Sequence, residues 1–205
     1  GAYEYLIKQF ADSARKKDGE KVKSLEDRLN LGFINLEKKQ SNLNNLFPAI
    51  ELREAGKYQE AQEWLSLFIE RHTNDPEALS LLSQVFLLDK RYLESERTLL
   101  TAISINSELP SIYRNQARLL LKQSKPAEAL EKAQSGYERR FDDPESCLVL
   151  AACLRANNRD QEALLLMEKV LQARPDYAEA FATRALIRLR AKDIFGAIKD
   201  AETAV

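Results

Sequence analysis

The sequence predicts an all-α protein built from stacked helix pairs, because it has a repeat of constant length, two columns of small residues and helical spacing of its apolar residues. Pro76, Pro110 and Pro144 stand 34 residues apart, and no insertion or deletion interrupts that step. A fixed period of this length is typical of solenoids, in which each copy packs on its neighbours. The predicted copies, numbered first to fifth, are 42–75, 76–109, 110–143, 144–177 and an incomplete 178–205.

Two positions of the repeat hold only Ala or Ser, a composition that lets neighbouring helices approach closely. A third column, eleven residues into each copy, is large and apolar until the fifth copy breaks it with Arg188. The small residues are Ala49, Ser83, Ala117, Ala151 and Ala185 at the eighth position, and Ala61, Ser95, Ala129, Ala163 and Ala197 at the twentieth.

Each copy reads as two amphipathic helices, because apolar residues recur every three or four positions in both halves. A short polar triplet such as 157–159 separates the first helix of a copy from the second. Asp75 and Asp143 each precede a proline, which places a hydrogen-bond acceptor at the N-cap and a preset φ in the first helical turn. Pro126 stands at the corresponding start of a second helix.

This pattern resembles the tetratricopeptide repeat, TPR, over residues 42–205. The resemblance rests on the Ala and Ser columns, on Tyr58 and Tyr92 at the start of second helices, and on Pro175 near a repeat end. It implies a right-handed superhelix of antiparallel helix pairs, whose first helices line a concave groove. It also implies binding of a protein or peptide, identity unknown, rather than catalysis.

The segment 1–41 lies outside the 34-residue frame. We predict either a degenerate repeat that caps the array or a helix that docks or dimerises, since apolar residues after Gly19 follow a heptad-like spacing. Pro48 is expected either to kink this helix or to start a new one.

Composition limits the partners and the location that we expect for this protein. The chain has 31 basic and 32 acidic residues, and that balance does not favour nucleic acid as a partner. No apolar run reaches the roughly 18 residues needed to span a bilayer. Since the chain begins without Met and ends within a predicted helix, we expect a piece of a longer protein, either cytoplasmic or a soluble domain tethered to a membrane.

Catalytic and metal-binding motifs are not recognisable in the sequence, so we expect no enzyme activity, no cofactor and no metal. His72 is the single histidine and has no neighbouring partner for catalysis. Cys147 and Cys153 are six residues apart, about 9 Å along one helix, which is too far for a disulfide.

The predicted binding surface follows from the fifth, ninth and twelfth positions of the first helices, which face the groove in the TPR family. Arg114 and Arg118 lie one helical turn apart, and Arg155 of the next copy could join them. These guanidinium groups could bind a carboxylate or acidic peptide; alternatively, they pair with acids of adjacent helices or remain solvated. The candidate groove residues are Ser80, Gln84, Arg114, Arg118, Leu148, Ala152 and Arg155.

Two ligand patterns known in the TPR family are not supported. The carboxylate clamp would need Lys and Asn where Leu46, Ile50 and Gln84 stand, and an asparagine ladder would need more than Asn115 alone. The apolar character of the fourth and fifth copies instead favours a helical or extended apolar segment as ligand.

Two functions therefore remain. The first is a non-catalytic scaffold that holds a partner segment in the groove. The alternative is an arm of a larger enzyme or of a membrane-anchored bacterial assembly for secretion, polysaccharide or glycosyl transfer. Self-association through the N-terminal helix or the incomplete fifth copy, where Ile194 and Ile198 lack a successor, is a further expectation.

Overall fold

The computed structural model describes residues 45–204, and every regular element in that range is an α-helix. The predictions for 1–41 lie outside the described residues, while Pro48 lies within the helical stretch 45–54. Residues Ala49–Val205 form one compact unit. The helices are 45–54 (α1), Tyr58–Arg71 (α2), Pro76–Leu88 (α3), Tyr92–Ile105 (α4), Pro110–Lys122 (α5), Pro126–Arg139 (α6), Pro144–Ala156 (α7), Asp160–Ala173 (α8), Ala178–Arg190 (α9) and Ile194–Thr203 (α10).

The predicted helix starts are confirmed. Asp75 caps α3 by accepting hydrogen bonds from the N–H groups of Glu77 and Ala78, at 2.9 and 3.1 Å. Asp143 caps α7 in the same way, accepting from the Ser146 N–H at 3.0 Å. A proline occupies the first turn of α3, α5, α6 and α7, where its missing N–H leaves no helical hydrogen bond unmade.

Each first helix ends in the same left-handed turn, although only one copy has glycine there. The fifteenth residue of every copy has positive φ, and the next residue's N–H reaches back to the carbonyl of the eleventh, as Arg91 does to Phe86 at 2.8 Å. This is the Schellman arrangement, which satisfies carbonyls left unpaired at a helix end. The five residues are Gly56 (φ 72°), Lys90 (64°), Ser124 (61°), Asn158 (62°) and Lys192 (65°).

The helices form two rows. First helices of successive copies pack on one another in the order α3, α5, α7, α9. The second helices α4, α6, α8 and α10 pack on the first helix of their own copy, and α2, α4, α6 and α8 pack on that of the next. Within the described residues no second helix contacts another second helix. The first helices therefore make one continuous inner row, which is the arrangement expected of a TPR solenoid.

The columns of small residues lie at the contacts between these rows, as predicted, and all ten are buried. Where serine replaces alanine, its hydroxyl is satisfied: Ser95 Oγ donates to the Ser83 carbonyl at 2.8 Å, and Ser83 Oγ donates to the Ser80 carbonyl at 2.6 Å. Gly136 marks an equally close approach, because a Cβ there would lie 3.2 Å from the Cβ of Tyr113.

At three positions where the fourth copy is apolar, the fifth copy has charged residues. Asp200 is buried between α9 and α10, where Arg184 binds both of its carboxylate oxygens at 2.7 and 2.8 Å and Arg188 binds one at 2.9 Å. We call these three residues the fifth-copy triad. In the fourth copy the same positions hold Leu150, Leu154 and Leu166.

Candidate partner-binding groove

The groove-facing positions of the second copy are partly taken up by contacts within the fold. Ser80 is buried and its hydroxyl donates to Ser111 Oγ at 3.0 Å. Gln84 is half-buried, and its carbonyl oxygen accepts a hydrogen bond from Arg53 Nη1 at 2.8 Å. Ser80 thus packs inside the row of first helices, while Gln84 orients a cation of the first copy.

Arg114 is held by acids of the next copy. Its Nη1 lies against Asp143 Oδ2 and 3.4 Å from Ser146 Oγ, and its Nη2 lies 3.1 Å from Glu145 Oε2. The Arg114 side chain is 14% exposed. Of the alternatives for the two central arginines, pairing with acids of an adjacent helix describes Arg114.

Arg118 lies one turn further along α5 and is bound differently. Its Nη1 donates to Asn115 Oδ1 at 3.1 Å, and none of the ion pairs between described residues includes it. Burial lowers the pKa of this guanidinium; its charged surroundings are Glu145, Arg114, Arg53 and Asp143. The structure therefore leaves a half-buried cation without a carboxylate in contact.

Arg53, from α1, completes what we call the arginine cluster, Arg53, Arg114 and Arg118. Besides Gln84, Arg53 binds Glu54 Oε1 at 2.9 Å, and its side chain is 19% exposed. The cluster brings together cations from the first and third copies, with Gln84 of the second copy between them. No hydrogen bond or ion pair of the described residues joins the Arg155 side chain to the cluster, and the main-chain carbonyl of Arg155 accepts a hydrogen bond from Arg190.

Asn115 positions Arg118 and was not recognised as a site residue from the sequence. The Asn115 side chain is buried and donates to the Ser80 carbonyl at 2.8 Å and to Ser80 Oγ at 3.1 Å. Its oxygen faces Arg118. Asn115 directly follows the groove residue Arg114, and the preceding copy has serines at nearby repeat positions, Ser80 and Ser83. This combination is the sequence signal that could have identified Asn115.

Apart from Arg155, the groove positions of the fourth and fifth copies are apolar. Leu148 and Ala152 on α7 are half-buried, whereas Leu186 and Leu189 on α9 are 51% and 53% exposed. These exposed leucines form an apolar surface that packing within the described residues does not bury.

The residues considered for chemistry have structural surroundings. His72 stacks on Phe68, with ring centroids 4.4 Å apart. Burial raises the pKa of the Cys147 thiol to about 11 and that of Cys153 to about 12, so both stay protonated at neutral pH. Among residues 45–204, no three His, Cys, Asp or Glu side chains gather where a metal could bind.

No helix in the described range is both long enough and apolar enough to traverse a bilayer.

Comparison with known proteins identifies the repeat. The family model for the tetratricopeptide repeat matches residues 114–178. A search of curated proteins found no match.

Three solved structures show the same fold. A thermophilic TPR protein of Thermus thermophilus superposes with a TM-score of 0.71 at 16% identity, covering 78% of this chain and 88% of that one. PilW, a type IV pilus biogenesis factor, gives 0.64 at 17% identity, covering 78% and 76%. YrrB, a TPR protein with an unusual peptide-binding site, gives 0.52 at 20% identity, covering 76% and 80%.

Proposed function

We propose that this chain is a non-catalytic scaffold of the tetratricopeptide-repeat type that binds a segment of a partner protein along the inner row of its first helices. TPR proteins are in general repeat scaffolds, and one structural relative, YrrB, has a peptide-binding site. A solenoid of this kind offers a long, pre-formed surface to an extended or helical segment.

One observation carries the proposal: the inner row bears groups that the fold does not use. Arg118 lacks a carboxylate partner among the described residues, and Leu186 and Leu189 remain half-exposed on the same row. The proposed surface also includes three further residues of the first helices, Gln84, Leu148 and Ala152. Ser80 and Arg114 line this surface without being free to bind: the Ser80 hydroxyl donates to Ser111, and both Nη atoms of Arg114 contact acids of the next copy.

A displayed library of random 12-residue peptides, selected against the full 205-residue chain, tests this function. We expect peptides to be enriched that bind the wild-type chain but bind a Leu186→Arg variant at least about tenfold more weakly. Leu93→Arg is the matched control, because Leu93 is an exposed leucine on a second helix.

The two variants should share the wild-type helical circular dichroism, since both leucines are exposed. Enrichment of no peptide, or equal loss of binding in Leu186→Arg and Leu93→Arg, would contradict a groove on the inner row.

A further inference from the structure

Arg118 is a cation of the inner row that contacts no carboxylate among the described residues. A guanidinium has five N–H donors, and Arg118 uses one hydrogen bond, to Asn115 Oδ1. A buried charge is stable when it is paired and hydrogen-bonded, and it destabilises a fold when it is not. The remaining donors of Arg118 are therefore suited to an anion that arrives from outside.

The neighbouring acids are already engaged. Asp143 accepts hydrogen bonds from the Ser146 N–H and hydroxyl and also pairs with Arg114. Glu145 pairs with Arg114 Nη2 at 3.1 Å, and its side chain is 55% exposed. Of these two acids, Glu145 is the one that can move, and it is a charged neighbour of Arg118. Glu145 would thus compete with any incoming anion.

We propose that the arginine cluster binds an aspartate or glutamate side chain of the partner segment, and that aliphatic side chains of the same segment pack on Leu148, Ala152 and Leu186. This inference rests on the proposed function and names the chemistry of the partner. The planar fork of arginine matches a carboxylate through paired hydrogen bonds, which favours an acidic side chain over a single neutral acceptor.

The row of first helices sets the spacing of the two halves of the ligand. Arg118 lies on α5 and Leu186 on α9, with α7 between them. Packed helices stand roughly 8–10 Å apart, so the two positions are separated by about 16–20 Å. An extended segment covers that distance in about five or six residues, at roughly 3.3 Å per residue. The partner segment is therefore expected to carry an acid and an aliphatic residue about that far apart.

The peptides selected against the wild-type chain test the inference when they are resynthesised with amidated C-termini, so that their only carboxylates are side chains. We expect enriched peptides to contain Asp or Glu together with Leu, Ile or Val. Replacing the acids by Asn or Gln should weaken binding about tenfold or more, as expected for loss of a charge-assisted hydrogen bond.

Arg118→Gln should weaken binding by about the same factor, and its amide can still donate to Asn115. Arg97→Gln on α4, in a second helix, is the matched control and should bind within about twofold of the wild type. Glu145→Gln removes the competing acid, so it should bind more tightly, by about two- to fivefold. Circular dichroism of each variant verifies that the helices are retained.

Groove-dependent peptides without acids would overturn the inference while leaving the proposed function intact. Undiminished binding to Arg118→Gln, or weaker binding to Glu145→Gln, would overturn it in the same way. If no groove-dependent peptide is enriched at all, the proposed function itself fails.

Discussion

Two groups of arginines in this protein have the same chemistry but opposite relations to the fold. In the fifth-copy triad, Arg184 and Arg188 converge on Asp200, whose side chain is 3% exposed. In the arginine cluster, Arg114 pairs with Asp143 and Glu145 of the next copy. Arg118 donates one hydrogen bond, to the side-chain oxygen of Asn115. The arginines of both groups lie on first helices. The two groups differ in which of their arginines contact a carboxylate.

Arg184 and Arg188 contact a carboxylate within their own helix pair, whereas no carboxylate of the described residues contacts Arg118. The triad is complete within α9 and α10, so it explains why Arg188 can interrupt an apolar column. In the arginine cluster, Asp143 and Glu145 contact Arg114 and not Arg118.

The largest effect is expected at the triad. Asp200→Ala leaves Arg184 without a carboxylate in contact and leaves Arg188 with only Asp193, at 3.7 Å, so it should destabilise the fifth copy by about 3 kcal/mol. Urea unfolding followed by circular dichroism measures the loss, and hydrogen exchange should locate it in α9 and α10.

A triple variant serves as the control for this prediction. Arg184→Leu, Arg188→Leu and Asp200→Leu together reproduce the leucines of the fourth copy, and they should restore stability to at least the wild-type level because no charge remains buried. If the triple variant is as unstable as Asp200→Ala, the triad has a role other than charge balance.

A smaller loss is expected for Arg114→Ala. This change removes ion pairs to Asp143 and Glu145, but Asp143 keeps its hydrogen bonds to Ser146 at the start of α7. We expect destabilisation of roughly 2 kcal/mol, between the values for exposed and buried pairs. Urea titration tests it, with Arg97→Ala on the outer row as a control that should change stability little. An equal effect of both substitutions would place Arg114 outside the structural network.

Alkaline pH should affect the fourth copy, which lies between the two arginine groups. The pKa values of Cys147 and Cys153 are raised to about 11 and 12, so the folded state holds these protons more tightly than the unfolded chain. Their contribution to stability is fully present below about pH 9 and is lost as pH rises toward 11. Arginine keeps its charge over this range.

Unfolding free energies measured from pH 8 to 10.5 test this expectation. The decline with pH should be shallower in the double variant Cys147→Ala, Cys153→Ala than in the wild type. Identical slopes would show that the two thiols titrate in the folded protein as they do in the unfolded chain.

The smallest effect on stability is expected for Arg118→Gln. Loss of one hydrogen bond and removal of a buried charge without a carboxylate oppose each other, so the unfolding free energy should stay within about 0.5 kcal/mol of the wild type. A loss above about 2 kcal/mol would make Arg118 a structural arginine like those of the triad.

The helices and their stacking could be predicted from the sequence because they depend on local and periodic signals. Apolar residues spaced by three and four, Asp–Pro starts and invariant small residues act within one copy or between adjacent ones. The repeat frame therefore placed the starts of α3, α5, α6 and α7 correctly and located the buried columns at 49–185 and 61–197 in steps of 34.

The left-handed turns could be predicted only where glycine marks them. Gly56 is recognisable, but Lys90, Ser124, Asn158 and Lys192 adopt the same positive φ. Left-handed backbone is unfavourable for such residues by roughly 1–2 kcal/mol. Packing of the two helices and the Schellman hydrogen bonds outweigh this preference, so residue type alone does not reveal the turn.

By itself, the sequence determined the period and the helix pairs, because these follow from residue spacing. Only the tertiary structure decided which arginines are already paired. Arg114 and Asp143 are 29 residues apart in sequence, and Arg184 and Asp200 are 16 apart. Whether such groups meet depends on how neighbouring helices pack, and that packing left Arg118 without a carboxylate.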